Sequence, residues 1–251
     1  MIIIAFFIFH WYTSLFFQTF FHHRYSAHQM FTMSKRTEKV FYFLSWLFQG
    51  PSYLSPYAYG ILHRLHHAYA DTENDPHSPK YDDNLFKMMW KTRNVYTEIV
   101  EAKKKVDPKF MKNLPEWPAF NRFAEQWVSR TFWIIVYAAV FYFFAPSIWY
   151  WILFPPMLVM GPMHGAIINW FAHKYGYVNF KVSDTSKNLL PFDFLMLGES
   201  YHNNHHKHGS RPNFGGVRWH EIDPIYPIIK LLDKLNVIQL KKPAPDIAKA
   251  A

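Results

Sequence analysis

The spacing His-x-x-His-His occurs twice in this chain, as His63-x-x-His66-His67 and again as His202-x-x-His205-His206. On a helix, positions three and four apart lie on one face, so each copy aims three imidazoles toward one point. Imidazole is a borderline ligand suited to iron, zinc, copper or nickel, and six converging rings describe a metal centre. Histidines scattered over polar loops would account for one copy, but not for two with further histidines close by. The chain has 15 histidines and no cysteine, which rules out disulfides, a thiolate nucleophile, Cys-ligated zinc and cysteine-bound iron–sulfur clusters. Any metal chemistry therefore falls to the histidines. A further pair, His23 and His28, is five residues apart, about 140° around an α-helix. Either its two rings serve different metals or the helix frays there. His77, in the turn Asn74-Asp75-Pro76-His77, is placed to hydrogen-bond behind a ligand.

The elements that must hold these residues alternate between strongly apolar and strongly polar. Of the 251 residues, 50% are hydrophobic and 20% aromatic, yet the mean hydropathy is only −0.15. That pattern suits a membrane protein with a large water-facing part. Residues 1–21 are long enough to cross a hydrocarbon layer of about 30 Å, and they lack the positive start and small-residue cleavage site of a signal peptide. His10 and Gln18 within them are expected to face protein or the interface, away from any metal. Residues 39–62 resemble a second span but are interrupted by Gly50-Pro51, Ser55 and Pro56, and an interior proline removes a helix hydrogen bond. Had they crossed, His63, His66 and His67 would lie on the opposite side from His23 and His28. An interfacial or re-entrant segment is expected instead.

Residues 63–130 read as water-facing, with an amphipathic stretch at 85–100. Residues 131–171 then suffice for two spans, 131–146 and 148–171, with Asn169 and His173 on one face at the exit. The turn between the spans carries no Lys or Arg, whereas Arg122, Arg130 and Lys174 flank the pair, which puts the histidine-bearing side in the cytoplasm. The expectation is an all-α membrane protein forming a single domain over 1–251. It would have about three transmembrane helices, an interfacial segment and a cytoplasmic helical cap holding a histidine-rich dimetal site.

Four motifs come in a fixed order: His23-Arg-x3-His28, His63-Arg-x-His66-His67, Asn169-x3-His173 and Gly198-Glu-x-x-His202-Asn-x-His205-His206. With Asp75-Pro-His77 and Arg218-Trp-His220 alongside them, the sequence resembles the membrane fatty-acid desaturases of the acyl-CoA desaturase type over nearly its whole length. The resemblance implies a di-iron centre held by His23, His28, His63, His66, His67, His173, His202, His205 and His206, with Asn169 contributing through a bound water. It also implies O2 as co-substrate, electrons from a small redox protein, removal of two hydrogens from an unactivated acyl chain, and a narrow bent tunnel for that chain. Abstracting hydrogen from a methylene needs a strong oxidant, which redox-silent zinc does not supply, so iron is favoured.

Carboxylates near the ligands in sequence, Asp71, Glu73, Asp75, Glu199, Glu221 and Asp223, are candidates to fix the ring tautomers. His77, His164 and His220 are candidates to stand behind the ligands, and His10, His22 and His208 are expected to be peripheral. Compared with the animal acyl-CoA desaturases, the first membrane hairpin is reduced here to one span. Leu54, Ile61 and Leu62 stand where those enzymes use an Asn and an Arg-Asp pair to touch coenzyme A. The carrier is therefore open among acyl-CoA, acyl-ACP and phospholipid. With no cytochrome domain fused at either end, a separate electron donor, a ferredoxin or a b-type cytochrome, is expected.

A net charge of +9 and a pI near 9.5 favour anionic partners such as lipid headgroups, a phosphate-bearing substrate or an acidic electron donor. No nucleic-acid-binding motif is present. Arg64, Lys91 and Arg93 are candidates for the substrate's headgroup. Two other functions fit the same residues: a lipid hydroxylase or carotenoid ketolase with this type of site, and a membrane protein that binds or moves metal. Transport would spread polar groups through the spans, whereas most histidines here cluster at one face of the membrane.

Overall fold

A computed structural model describes residues 1–241; the remaining positions of the expected domain, 242–251, lie outside the described residues. The fold opens with α1, Ile2–Phe17, which runs on without a break into a π-helical segment, Gln18–Ala27. Together they form a 26-residue helix, longer than the roughly 20 residues a span needs, and it contains an 18-residue stretch of mean hydropathy 1.5. A short strand β1, Phe31–Met33, leads to α2, Lys35–Gln49, whose first turn is capped by the Ser34 hydroxyl accepting from Thr37 N at 3.1 Å.

Helix α2 stops at Gly50, which has φ 56°. That left-handed conformation suits glycine, and a side chain there would also collide with the Tyr137 hydroxyl. After the break, α3, Pro56–Tyr69, starts from a Ser55 cap with proline in its first turn. The stretch 39–62 is thus divided between helices of 15 and 14 residues, and neither is long enough to count as a span.

Helix α4, Leu85–Val100, begins at an Asn84 cap, and α5, Pro118–Glu125, precedes the apolar α6, Trp127–Phe144. A 3-10 segment, Ile148–Leu153, then leads into α7, Phe154–Leu158, and α8, Met160–Ala166. The chain bends by 70° between Leu158 and Met160. Pro162 has no N–H to give the Leu158 carbonyl four residues back, which explains the weakness at that point. The expected span over 148–171 falls on two helical stretches, Ile148–Leu158 and Met160–Lys174, with this bend between them. The described residues hold two helices long and apolar enough to cross a membrane, or three if the bent pair counts as one span.

Helix α8 continues through a second π-helical segment, Ile167–Phe171, into α9, Ala172–Lys174, and the chain closes with α10, His202–Lys207, and α11, Ile225–Lys234. Strand β2, Ile238–Leu240, pairs antiparallel with β1, Phe31 opposite Leu240 and Met33 opposite Ile238. This two-stranded sheet corrects the all-α expectation to a mostly helical fold. It clips the far end of the chain beside the start, where Phe20, Phe21, Phe31, Phe41, Tyr42, Tyr201, Phe214, Ile229 and Ile238 form one buried cluster. Burying aromatic and aliphatic surface of this extent is the main force holding the C-terminal elements against the first helix.

Candidate metal centre

The nine histidines of the motifs come together, sorted into two groups. Ring nitrogens of His23, His28, His63, His67 and His205 lie within 4.8 Å of one another, as do those of His66, His173, His202 and His206. Each His-x-x-His-His copy is therefore shared between the groups, which corrects the expectation that its three rings meet at one point. In α3, His63 and His67 are about 40° apart around the helix and go to the first group. His66 lies about 100° from His67 and turns to the second. In α10 the same rule sends His202 and His206 to the second group and His205 to the first.

Both His23 and His28 join the first group, so neither open alternative for that pair holds. The π-helical segment bonds each N–H to the carbonyl five residues back, as His28 N does to His23 O at 3.1 Å. That winding puts residues five apart on one face.

Carboxylates set the rings' tautomers. Glu199 lies 2.7 Å from Nδ1 of His23, Asp75 lies 3.0 Å from Nδ1 of His66, and Asp184 lies 2.9 Å from Nδ1 of His206. His173 Nδ1 faces the Thr185 hydroxyl at 3.2 Å, with Asp71 at 3.7 Å. A ring that gives its Nδ1 proton to a carboxylate presents a bare lone pair at Nε2. Burial lowers the pKa of His206 to about 4 in spite of Asp184. Burial, and after it the neighbouring imidazoles, hold His28, His63, His67, His202 and His205 well below the usual histidine range. Burial thus favours the neutral form of these six rings. For Glu199, burial raises the pKa, but the opposing effects of His23 and Arg24 leave it lowered; for Asp75 and Asp184, burial is likewise outweighed by the partner histidine.

The inward nitrogens fit a cation. His66 Nε2 and His206 Nε2 are 3.3 Å apart although the Nδ1 of each faces a carboxylate, so two lone pairs confront each other. In the first group, the Nε2 contacts His23 to His205, His205 to His67, His67 to His63 and His63 to His28 measure 2.9–3.0 Å. Metal–imidazole bonds of about 2.0–2.1 Å would put two nitrogens about 2.9 Å apart at a right angle and about 3.4 Å apart at a tetrahedral one. The contacts of the five-histidine group are close to the right-angle case, and those of the second group, 3.1–3.3 Å, lie between the two.

Other elements hold this arrangement in place. Arg24, fully buried, reaches Asp223 at 2.7 Å and Glu199 at 3.3 Å and also bonds Thr19, whose hydroxyl donates to Glu199. Asn203 and Asn204, between the histidines of α10, fasten it to loops: Asn203 to the backbone of Asn179, Phe180 and Ser186, and Asn204 to Phe214 O and Glu221. Asp184 and Asn204 escaped the sequence reading, and Asn203 stood in its motif without a role. Asp184 lies 22 residues before its histidine in a loop with no motif around it. Of the carboxylates named from sequence, Glu73 is exposed, and Glu221 and Asp223 brace neighbouring loops and Arg24 without touching a ligand histidine.

A cavity of about 400 Å³ opens beside the histidines, lined by His23, His63, His77 and His202 at their level, by Phe86, Trp90 and Arg93 of α4, and by Leu15, Gly161, His164 and Asn169. Its size is that of a small-molecule site. Asn169 thus reaches the cavity wall, four residues before His173. His77 is buried with its ring 4.3 Å from that of His66.

Several placements redirect the expectations. Arg64 gives its guanidinium to the carbonyls of Ala27, Phe110, Lys112 and Ser26, so it ties α3 to its neighbours and is not available to a headgroup. Lys91 lies in a separate polar groove with Glu73, Lys104 and Lys105, so of the α4 cations Arg93 alone is at the cavity. His220 packs against Tyr177, Phe192 and Trp219, and His164 against Trp11, neither against a ligand ring. His22, expected to be peripheral, is buried with its two ring nitrogens 2.8 Å from Leu54 O and 3.1 Å from Phe17 O, one of which accepts its single N–H. His10 is also buried and contacts Met157 O at 3.2 Å.

Known proteins match this chain along its length. "Delta-9 desaturase-like 5 protein" of Arabidopsis thaliana is 28% identical over 228 residues, 87% of this chain and 70% of that protein. The "sn-1 stearoyl-lipid 9-desaturase" of Synechocystis sp. is 29% identical over 238 residues, 91% of this chain and 68% of that protein. "Delta-9 acyl-lipid desaturase 1" of Arabidopsis thaliana is 26% identical over 217 residues, 86% of this chain and 67% of that protein. The sequence model of the family "Fatty acid desaturase" matches residues 1–238, the stretch that carries both histidine groups, the carboxylates behind them and the cavity. The chain therefore belongs to the fatty acid desaturase family and is an oxidoreductase.

Proposed function

We propose that the protein inserts a cis double bond into a lipid-linked acyl chain, using two iron ions held by His23, His28, His63, His67 and His205 on one side and His66, His173, His202 and His206 on the other. Asn169 completes the second site through a water. The observation that carries this reading is the gathering of nine imidazoles into two groups, with a carboxylate at Nδ1 of His23 in the first and of His66 and His206 in the second. When bound, the irons supply the O2-derived oxidising power that an unactivated methylene requires.

The chain's own residues do the rest. Glu199, Asp75 and Asp184 hold the ring protons at Nδ1 and keep Nε2 free. The apolar cavity wall of Leu15, Leu54, Leu62 and Ile168 excludes water and holds the acyl chain beside His23, His63 and His202. Rigid holding of two neighbouring carbons favours loss of a second hydrogen over oxygen transfer, because small displacements cost large factors in rate. Arg93, at the exposed end of the cavity, attracts the phosphate of the headgroup.

Lipid linkage is supported by two relatives named for lipid-linked chains and by Ile61 and Leu62, which are buried in an apolar cluster of α3 and α4. The protein is read as multi-pass and integral to the membrane. Its histidine-bearing side faces the cytoplasm because Arg122, Arg130 and Lys174 flank the apolar hairpin. Electrons come from a small redox carrier. The test is expression in a host lacking unsaturated chains, with its lipids analysed by mass spectrometry. Cis-monoenoic chains support the proposal, and hydroxylated chains would replace it with an oxygenase reading.

A further inference from the structure

The loop between α9 and α10 turns its side chains the wrong way for a segment in water. Phe192, Phe194 and Leu195 are 52%, 58% and 51% exposed, whereas Asp193 among them is buried. Asp193 accepts from the amides of Met196, Gly198 and Ser200 at 2.7–2.9 Å. The carboxylate that water would solvate best thus satisfies the loop's own backbone. In the neighbouring loop Trp219 is 89% exposed, with its ring 6.3 Å from that of Phe192, and Ile222 is also exposed. Exposed apolar surface of this kind marks contact with a partner or a membrane.

The attachments of the loop decide between these. Trp11 of α1 donates from Nε1 to Leu195 O at 3.0 Å. On its inner side the loop packs Met196 and Leu197 against Trp11 and Leu15 of α1 and against Ile167 and Ile168 of the second π-helical segment. Both elements belong to the candidate spans. Trp11 lies among Ile8, Phe9 and Tyr12, which are exposed on the same helix. It stands twelve residues before His23, roughly 18 Å along the helix. The loop therefore reaches back from the histidines to a level where the first span already turns apolar side chains outward. A soluble partner has no access to that level without displacing the lipid around the helix. Non-helical backbone close to hydrocarbon must have its polar groups satisfied within the protein, and the bonds to Asp193 and Trp11 do this for three amides and one carbonyl. Aromatic side chains, with a tryptophan the most exposed of them, suit the boundary between headgroups and acyl chains.

Resting on the reading of α1 as a membrane span, we propose that residues 192–195, together with Trp219, form an interfacial anchor seated in the leaflet on the histidine-bearing side. The same loop carries Met196, part of the cavity wall, so the anchor fixes that wall at the membrane surface. The chain has no cysteine, so a single introduced cysteine takes the only nitroxide label. Phe194→Cys and Leu195→Cys are made in the full-length, iron-loaded protein and reconstituted in phosphatidylcholine nanodiscs, with Ile8→Cys as the lipid reference and Lys103→Cys as the water reference. All four positions are exposed, so the label disturbs no packing. Power saturation is measured with oxygen, which concentrates in hydrocarbon, and with a nickel chelate, which stays in water. Each is read as the change from a nitrogen-equilibrated sample, so relaxation by iron cancels. Oxygen should relax the labels at 194 and 195 more than the chelate does, as at Ile8→Cys, with the order reversed at Lys103→Cys. Relaxation dominated by the chelate at 194 and 195, with Ile8→Cys still dominated by oxygen, would overturn the anchor. Dipolar broadening between labels at 194 would also overturn it, by placing a second copy of the chain over the loop. If Ile8→Cys is itself dominated by the chelate, the reading of α1 as a span fails and the anchor falls with it.

Discussion

Replacing Asp184 by Ala tests whether the two histidine groups are separate metal sites. The carboxylate lies 2.9 Å from Nδ1 of His206 and bonds no other histidine. Its loss frees that ring to turn and to move its proton to Nε2, the atom that faces His66. Removing a partner of this kind lowers metal affinity about 10- to 100-fold, or about 1.4–2.7 kcal/mol. The first group keeps its own carboxylate, Glu199 on His23, and is unaffected. Anaerobic titration of the metal-stripped protein with ferrous iron should therefore give two tight equivalents in the wild type. In Asp184→Ala there should be one tight equivalent and one weakened by that factor. Unchanged affinity for both would refute the role given to Asp184, and equal weakening of both would refute the division into two sites.

Four further outcomes follow from the same geometry. Arg24→Met leaves Asp223 and Glu199 buried without their cation and should cost about 3–5 kcal/mol, read as a large fall in the detergent melting temperature; a fall of only a degree or two would show the cluster to be unimportant. Gly60→Ala puts a Cβ 2.6 Å from Leu114 Cδ2 and 2.7 Å from Ser26 Oγ, so it should push α3 away from the first helix and lower iron content, and a fully loaded variant would contradict this. Arg93→Ala should raise the apparent KM for a phospholipid-linked chain whereas Lys91→Ala should not, because only Arg93 is at the cavity; the reverse order would sink the assignment of the opening. In the metal-stripped protein, the folded pKa of His206 lies at about 4 against 6.5 for the unfolded ring. The unfolded state then binds more protons between these values, so stability is full above about pH 6.5 and falls, by about 3 kcal/mol for this ring alone, down to about pH 4. A melting temperature flat across that window would show the rings already protonated in the fold.

Much of this site was legible because its chemistry is carried by residue type. The repeated His63, His66, His67 and His202, His205, His206 spacing has few other uses, and Asn169 and His173 sit where the apolar block ends. The breaks at Gly50 and Pro56 were readable for the same reason, since each removes a backbone option. What stayed hidden depended on helix winding and on contacts distant in sequence. The α-helical period separates His23 from His28, and only the π-helical segment brings them together. The sorting of His66 away from His67 arises from a turn of about 100° that matters only once a second group exists beside the first. Asp184, Asn203 and Arg64 could not be placed because each acts on a partner tens of residues away. The bend before α8 was signalled by Pro162, but its 70° angle reflects packing against the first helix and the turn after α2.

The central claim is that two iron ions lie in this chain, one in each histidine group. Its most direct test is an anomalous-difference map at the iron absorption edge from crystals of the iron-loaded protein. The claim predicts two peaks, one among Nε2 of His23, His28, His63, His67 and His205 and one among Nε2 of His66, His173, His202 and His206. A single peak, or a peak lodged between His66, Asp75 and His77, would contradict it.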